Sequence, residues 1–192
     1  QGGWDWLNSR GYGVVDKREF YFAEWYLSDY MIWNQIVRSP DQVRRRIALA
    51  MTEYFVVGID GITQPWFKGF QLAHYYDILC NNAFGNYRQL LEEVTLSIAM
   101  GEFLNTLGNQ KEDAATGRLP DENYSREVMQ LFTIGLQQLN IDGSLVKVNG
   151  APVETFTQSD VSNLARVFTG YQQMTPRGGL KVWCRPPTEC AT

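Results

Sequence analysis

A mainly α fold with one small β insertion is what this sequence predicts, and three observations carry the prediction. Apolar residues recur at helical spacing through most of residues 19–107 and again near 120–135 and 157–170. Helix start and stop residues bracket those stretches. Strand-like runs are confined to about 136–156, where Asp142-Gly143 and Asn149-Gly150 supply two turn signals. The expected architecture is an irregular array of five or six helices with a hairpin or meander insertion, forming part of a larger domain. Residues 1–39 read as an aromatic-rich segment and helix, 40–171 as the helical core, and 172–192 as a Gly- and Pro-rich extended tail.

Residues 1–18 read as a surface segment anchored by Trp4 and Trp6. An aromatic-dense helical pattern follows from Glu19 to Val37, and Ser39-Pro40-Asp41 breaks and restarts the chain. The helix over about 40–57 places Val43, Ile47, Ala50 or Met51, and Tyr54 on one face. Arg44, Arg45 and Arg46 cross its first half, with Arg46 beside the stripe and able to turn inward. Gly58 to Pro65 is a loop, 66–82 returns to helix, and a turn at 81–86 leads into one regular helix over about 87–107. Gly108 to Leu119 is polar and irregular, a mobile or a binding loop.

The organising stretch is Pro120 to Gly135, Pro-Asp-Glu-Asn-Tyr-Ser-Arg-Glu-Val-Met-Gln-Leu-Phe-Thr-Ile-Gly. It reads as one helix started by Pro120-Asp121, whose carboxylate can accept from a first-turn amide, and ended by Gly135 in a left-handed conformation. At about 100° per residue, Tyr124, Val128, Leu131 and Phe132 share an inward stripe. Glu127 falls roughly 40° from Leu131 by the same geometry, so a carboxylate sits at the margin of that stripe. After the β insertion, Thr157-Gln158-Ser159-Asp160 is a capping signature and Gly170 a stop for the last helix.

Composition narrows the function classes. Hydrophobic residues make up 44 % and charged residues 20 %, a globular balance. A net charge of -4 offers no general surface for nucleic acid, and no apolar run reaches the roughly 20 residues of a membrane-spanning helix. GxSxG, HExxH, Walker and dinucleotide signatures are all missing. The one histidine, His74, reads as a structural group. No cofactor is expected, and no metal, since CxxC is absent. Asn140–Ser144 resembles half a calcium loop but lacks the later acids, so it reads as a turn. Cys184 and Cys190 can close a small disulfide loop in an oxidising compartment.

Charges on apolar helices are the strongest constellation. If Glu127 faces the core, an arginine is its natural partner, and Arg46 and Arg166 are the candidates for a buried ion pair. Arg126 and Glu122 pair across the solvent side. The competing reading has Glu127, with Asn123 one turn earlier, lining a cleft, with Glu53 as a further acid or base candidate.

The Asp-Glu-Asn-Tyr-Ser-Arg-Glu-Val-Met-Gln-Leu-Phe motif resembles that of the bacterial family catalogued as domain of unknown function 1800. Segments 46–57, 75–85, 86–101 and 156–170 support it in the expected order, over about 40–171. The resemblance implies a mostly helical, longer, exported protein of the periplasm or cell surface, and no particular activity; whether the chain is an enzyme stays open. The favoured expectation is a structural or partner-binding component of a surface assembly, its partners other protein subunits. The alternatives are a hydrolase or lyase acting on a polymer through Glu127 or Glu53, and a polysaccharide-binding module using Trp4, Trp6, Trp66 or Trp183. The present sequence is expected to be a piece of the longer protein.

Overall fold

Eight α-helices, a 3₁₀ turn and a π-helical segment make up most of the residues described by the computed structural model, which are 2–12, 26–63, 68–174 and 182–184. The fold is mainly α with small antiparallel β pairings. The chain divides into two compact units, Gln1–Phe103 and Leu104–Thr192.

In the first unit, α4 (Lys68–Asn82) is central, and α1 (Gly3–Ser9), α2 (Tyr26–Arg38) and α3 (Gln42–Tyr54) pack on it. It is suited to that place because it is apolar nearly all round: Phe70, Ala73, Tyr76, Leu79 and Cys80 are all buried. The Trp-rich start, expected as a surface segment anchored by Trp4 and Trp6, forms a helix over Gly3–Ser9. The Asp77 carboxylate of α4 accepts from the Gly3 and Trp4 amides, at 2.6 and 3.0 Å, and so supplies from a distant residue the acceptor that a local cap usually provides. The Trp4 ring stands edge-on to Phe70 at 5.0 Å.

Two helical expectations change here. In α3 the inward residues are Arg45 and Ala48, while Val43, Ala50 and Tyr54 are exposed. The sequence holds two overlapping apolar stripes, and α4 selects this one by tertiary contact: the Tyr76 hydroxyl donates to the Arg45 carbonyl at 2.9 Å, and Arg45 Nη1 reaches Cys80 Sγ at 3.0 Å. Burial pushes the ionisation of both Tyr76 and Cys80 upward. The single helix expected over 87–107 is two, α5 (Tyr87–Thr95) and α6 (Ile98–Phe103). Ser97 interrupts them because its hydroxyl accepts from the Met100 amide at 3.3 Å, the role of an N-cap.

In the second unit the motif begins as expected and then departs from an α-helix. Asp121 Oδ1 accepts from the Asn123 amide at 2.8 Å, and α7 runs Asn123–Glu127. Val128–Phe132 is π-helical. The wide turn is closed by Ile134 N to Met129 O at 3.1 Å, an i to i−5 bond, and by Gly135 N to the same carbonyl at 2.9 Å. Gly135 has φ +75°, the left-handed stop that the sequence implied. The wider turn rotates the stripe: Tyr124, Met129 and Phe132 are buried, while Leu131 is 43 % exposed. Tyr124 meets Phe168 edge-on at 4.9 Å, against the buried face of α8 (Gln158–Val167), where Val161 and Ala165 point inward. The capping box at the start of α8 forms as expected: Thr157 N to Asp160 Oδ2 is 2.7 Å, and Asp160 N to Thr157 Oγ1 is 3.3 Å.

Between π-segment and α8 the chain makes an arm. Leu136–Asn140 pairs with Glu154 through the Gln137 bridge and with Leu145 through the Leu139 bridge, and β1 (Lys147–Val148) pairs antiparallel with β2 (Ala151–Pro152). The Asn149-Gly150 turn joining them has φ +53° and +83°, the two positive values that a type I′ hairpin requires. In the tail, β3 (Gln172–Met174) pairs antiparallel with β4 (Val182–Cys184), with Gln173 opposite Trp183. Cys190 and Trp66, and the side chains of Cys184 and Trp183, lie outside the described residues, so the disulfide expectation falls there too.

Candidate functional site

The second unit gathers most of the polar chemistry that the motif carries. Glu122, just before α7, is held by three donors. Ser162 Oγ reaches its Oε1 at 2.6 Å, while Gln158 Nε2 and Arg126 Nη2 reach its Oε2 at 2.7 and 3.1 Å. The Ser162 and Gln158 bonds, then the Arg126 charge, hold the Glu122 carboxyl below the usual carboxylate range. The Arg126–Glu122 pairing is the one expected from spacing. Beyond the place of Gln158 in the capping signature, Gln158 and Ser162 carry no functional signal of their own in the sequence, although their i, i+4 spacing on α8 places them on one face. Together these four residues clasp the start of the motif to the start of α8.

Beside the clasp lies a cleft of about 280 Å³, lined by Arg126, Leu136, Glu154, Phe156, Gln158 and Val161 among others. It sits at the root of the arm. A second, more open depression of about 440 Å³ is bordered by Asn105, Asn109, Arg118 and Asp121. Neither is lined by Glu127, Asn123 or Glu53.

Glu127 is the last α-helical residue before the π-segment. It is half-buried, and its Oε2 is shielded from water with no hydrogen-bond partner among the described residues. None of the ion pairs among those residues includes it. Arg166, one of its expected partners, is exposed and turned to Glu112 Oε2 at 2.7 Å and Asn163 Oδ1 at 2.7 Å. The reason is positional, since Arg166 follows inward Ala165 by one residue and so lies about 100° off the buried face. Arg46 is exposed for the same reason, one residue past inward Arg45. Asn123 and Glu53 are exposed as well.

Asn109 is a further residue that ties this unit together. Its buried side chain accepts from Asp121 N at 2.9 Å and donates to the carbonyls of Asp121 and Phe168 at 3.3 and 3.2 Å. No residue-type signal marks it, because its partners are main-chain groups far away in sequence.

The arm is an unusually exposed surface among the described residues of this unit. From Leu136 to Pro152 every residue except Val146 is exposed. Five of them are large aliphatics: Leu136, Leu139, Ile141, Leu145 and Val148. The backbone is nonetheless knitted together. Gln138 N donates to Val153 O, Val146 N to Gln138 O, and Val153 N to Val146 O, all at 2.9–3.0 Å. The three segments therefore brace one another at a common junction, from which two tight turns project.

Of the four tryptophans expected to form a stacking surface, Trp4 and Trp6 are described with their side chains. Trp4 stands edge-on to Phe70, and Trp6 is tilted 46° to Tyr12 with Arg10 at 4.9 Å over its ring. Among the described residues no group of three or more His, Cys, Asp or Glu side chains comes together to hold a metal, and no helix is long and apolar enough to cross a membrane.

A family model described as Protein of unknown function (DUF1800) matches residues 25–186. No curated protein matches, and no solved structure does.

Proposed function

We propose, from the premise that the chain belongs to the DUF1800 family, that it is a partner-binding component of an exported assembly of the periplasm or cell surface. The observation that carries this reading is the arm over 136–152. Burying one large aliphatic side chain contributes about 2 kcal/mol. Leaving five of them in water on one short insertion forgoes that gain, and a concentration of exposed large aliphatics on one short segment favours an interaction surface. Three or four such side chains together reach the lower part of the association cost, roughly 4–15 kcal/mol. The arm is thus sized to anchor a partner, with the rest of the interface supplying specificity. The setting in the periplasm or at the cell surface rests on what the family resemblance implies.

The reading is tested by placing a photoreactive aliphatic residue at position 141 or 139 of the full chain in a bacterial host. The expected result is a discrete adduct from either position and none from the same group at exposed Glu92 on α5. Labelling no stronger from the arm than from position 92 would sink it. Cell fractionation checks the location: recovery solely from the cytoplasm would remove the exported setting.

One observation favours a second reading, a hydrolase or lyase acting on a polymer. A buried carboxylate oxygen without a partner is rare and calls for an explanation, and π-segments within helices are frequent at functional sites; Glu127 combines the two. Glu127→Gln is expected to leave the thermal midpoint unchanged or raise it, because it removes a charge that burial disfavours. Unchanged folding with lost turnover of a polysaccharide would place Glu127 in catalysis. A marked fall in the midpoint would instead reveal an ion pair supplied to Glu127.

A further inference from the structure

The tip of the arm is built in a way that specifies what it meets. Within Asn140–Ser144 five hydrogen bonds close the turn on itself. Asn140 N reaches Ser144 O at 2.8 Å, and Gly143 N reaches Asn140 O at 2.9 Å. Asn140 Nδ2 reaches Ser144 Oγ at 3.0 Å, while Ser144 N and Oγ both donate to Asp142 Oδ1, at 2.9 and 2.6 Å. Every one of these bonds is local to the turn, and none engages Ile141, which is exposed as fully as in an extended chain. The Leu139–Leu145 pair stands directly behind it. A turn fixed before binding loses little conformational entropy on binding, which favours its use as an anchor.

Charge then separates the possible occupants. Among residues 136–152 only Asp142 and Lys147 are charged, and Lys147 belongs to the other hairpin. The Ser144 bonds hold the Asp142 carboxyl below the usual range, so its negative charge persists throughout the neutral and mildly acidic range. Asp142 Oδ1 is taken by Ser144, and Oδ2 is left for an incoming donor. An anionic bilayer attracts basic segments and disfavours an acidic tip.

Resting on the partner-binding reading above, we infer that the arm docks into a protein that offers a small aliphatic socket with a lysine or arginine at its rim, Ile141 filling the socket and Asp142 meeting the cation. Ile141 supplies the desolvated anchor on which most of the binding energy depends. Asp142 supplies orientation and encounter rate.

The test starts from the adduct formed by a photoreactive residue at 141. The cross-linked protein is purified, and its binding to the full chain is measured at low and high salt for the wild type, Ile141→Ser and Asp142→Asn. Both variants keep the fold, since Ile141 touches nothing that holds the turn and Asn retains the carbonyl acceptor for Ser144. Ile141→Ser is expected to weaken binding about tenfold or more, through faster dissociation. Asp142→Asn is expected to slow association about threefold and to flatten its salt dependence. An adduct with lipid, or with a second copy of the chain, would overturn the inference. So would binding that ignores Asp142 and salt, although the partner-binding reading would then stand. Absence of any adduct would remove both.

Discussion

Phe132→Ala is expected to destabilise the protein by about 4 kcal/mol, and Leu131→Ala by less than about 1 kcal/mol. Both residues lie in the π-segment, both are large and apolar, and they are adjacent in sequence. The difference follows from the width of the helical turn. At ordinary α spacing both would sit on the stripe begun by Tyr124, so the two substitutions would each open a hole in the core. The i to i−5 closure at Met129 turns Leu131 outward and seats Phe132 at 1 % exposure, with its ring 6.3 Å from that of Tyr124. A loss of about 4 kcal/mol is a large part of the roughly 5–15 kcal/mol by which a domain is stable. Chemical denaturation of the two variants side by side reads the contrast directly. Equal losses, or the larger loss from Leu131→Ala, would mean that the segment is an ordinary α-turn and that the place of Glu127 at an α–π junction is an artefact of register.

That contrast also indicates where the sequence was legible. Features decided by residues close together came through. The capping box of Thr157 and Asp160, the positive φ of Asn149-Gly150 and Gly135, the Arg126–Glu122 pair and the position of the β insertion all depend on neighbours within a few residues. Features decided by distant partners did not, and neither did two local ones, the Ser97 cap between α5 and α6 and the π-turn closed at Met129. The first helix is begun by Asp77, more than seventy residues away. The inward face of α3 is chosen by Tyr76 and Cys80, because Val43 and Tyr54 offered an equally good apolar spacing. Arg45 was therefore passed over in favour of Arg46, a shift of one residue that turns a side chain from buried to exposed.

The candidate site divides along the same line. Glu127 stood out because a carboxylate beside an apolar stripe is a local anomaly, and its half-buried position with an unpartnered oxygen keeps it one. The partner question was out of reach, since Arg166 is occupied by Glu112 from a loop whose path no local pattern reveals. The arm was legible as strands and turns but not as a surface. Apolar residues in strand-like runs are expected to have a face covered, whereas here the large aliphatics of both projecting turns remain in water. That mismatch between pattern and burial is the physical content of the partner-binding reading.

Asn109→Ala is expected to cost about 3 kcal/mol, which is large for a polar residue with no charge. The side chain joins three pieces of main chain: its own loop, the start of the motif at Asp121 and the end of α8 at Phe168. The adjoining backbone is tied as well, Gly170 N to Asn109 O at 2.8 Å and Gly108 N to Tyr171 O at 2.9 Å. Alanine would leave the Asp121 amide without its acceptor and two carbonyls short of a donor, in a place where Asn109 itself is only 8 % exposed. An unmade bond at a shielded group costs more than the net value of the bond once formed. Asn109→Asp should be as damaging, because it retains the acceptor but sets a carboxylate against two carbonyl oxygens. Asn105→Gly is the control: Asn105 has φ +60°, which glycine adopts without strain, and its exposed 3.3 Å bond to Asp121 Oδ2 can be replaced by water. Denaturation midpoints rank the three variants, and amide exchange at Asp121 and Gly170 reports where the loosening begins. If Asn109→Ala costs no more than Asn105→Gly, water already competes for the groups that the Asn109 side chain meets, and the end of α8 is held by the main-chain bonds of Gly108 and Asn109 and by the Tyr124–Phe168 ring contact.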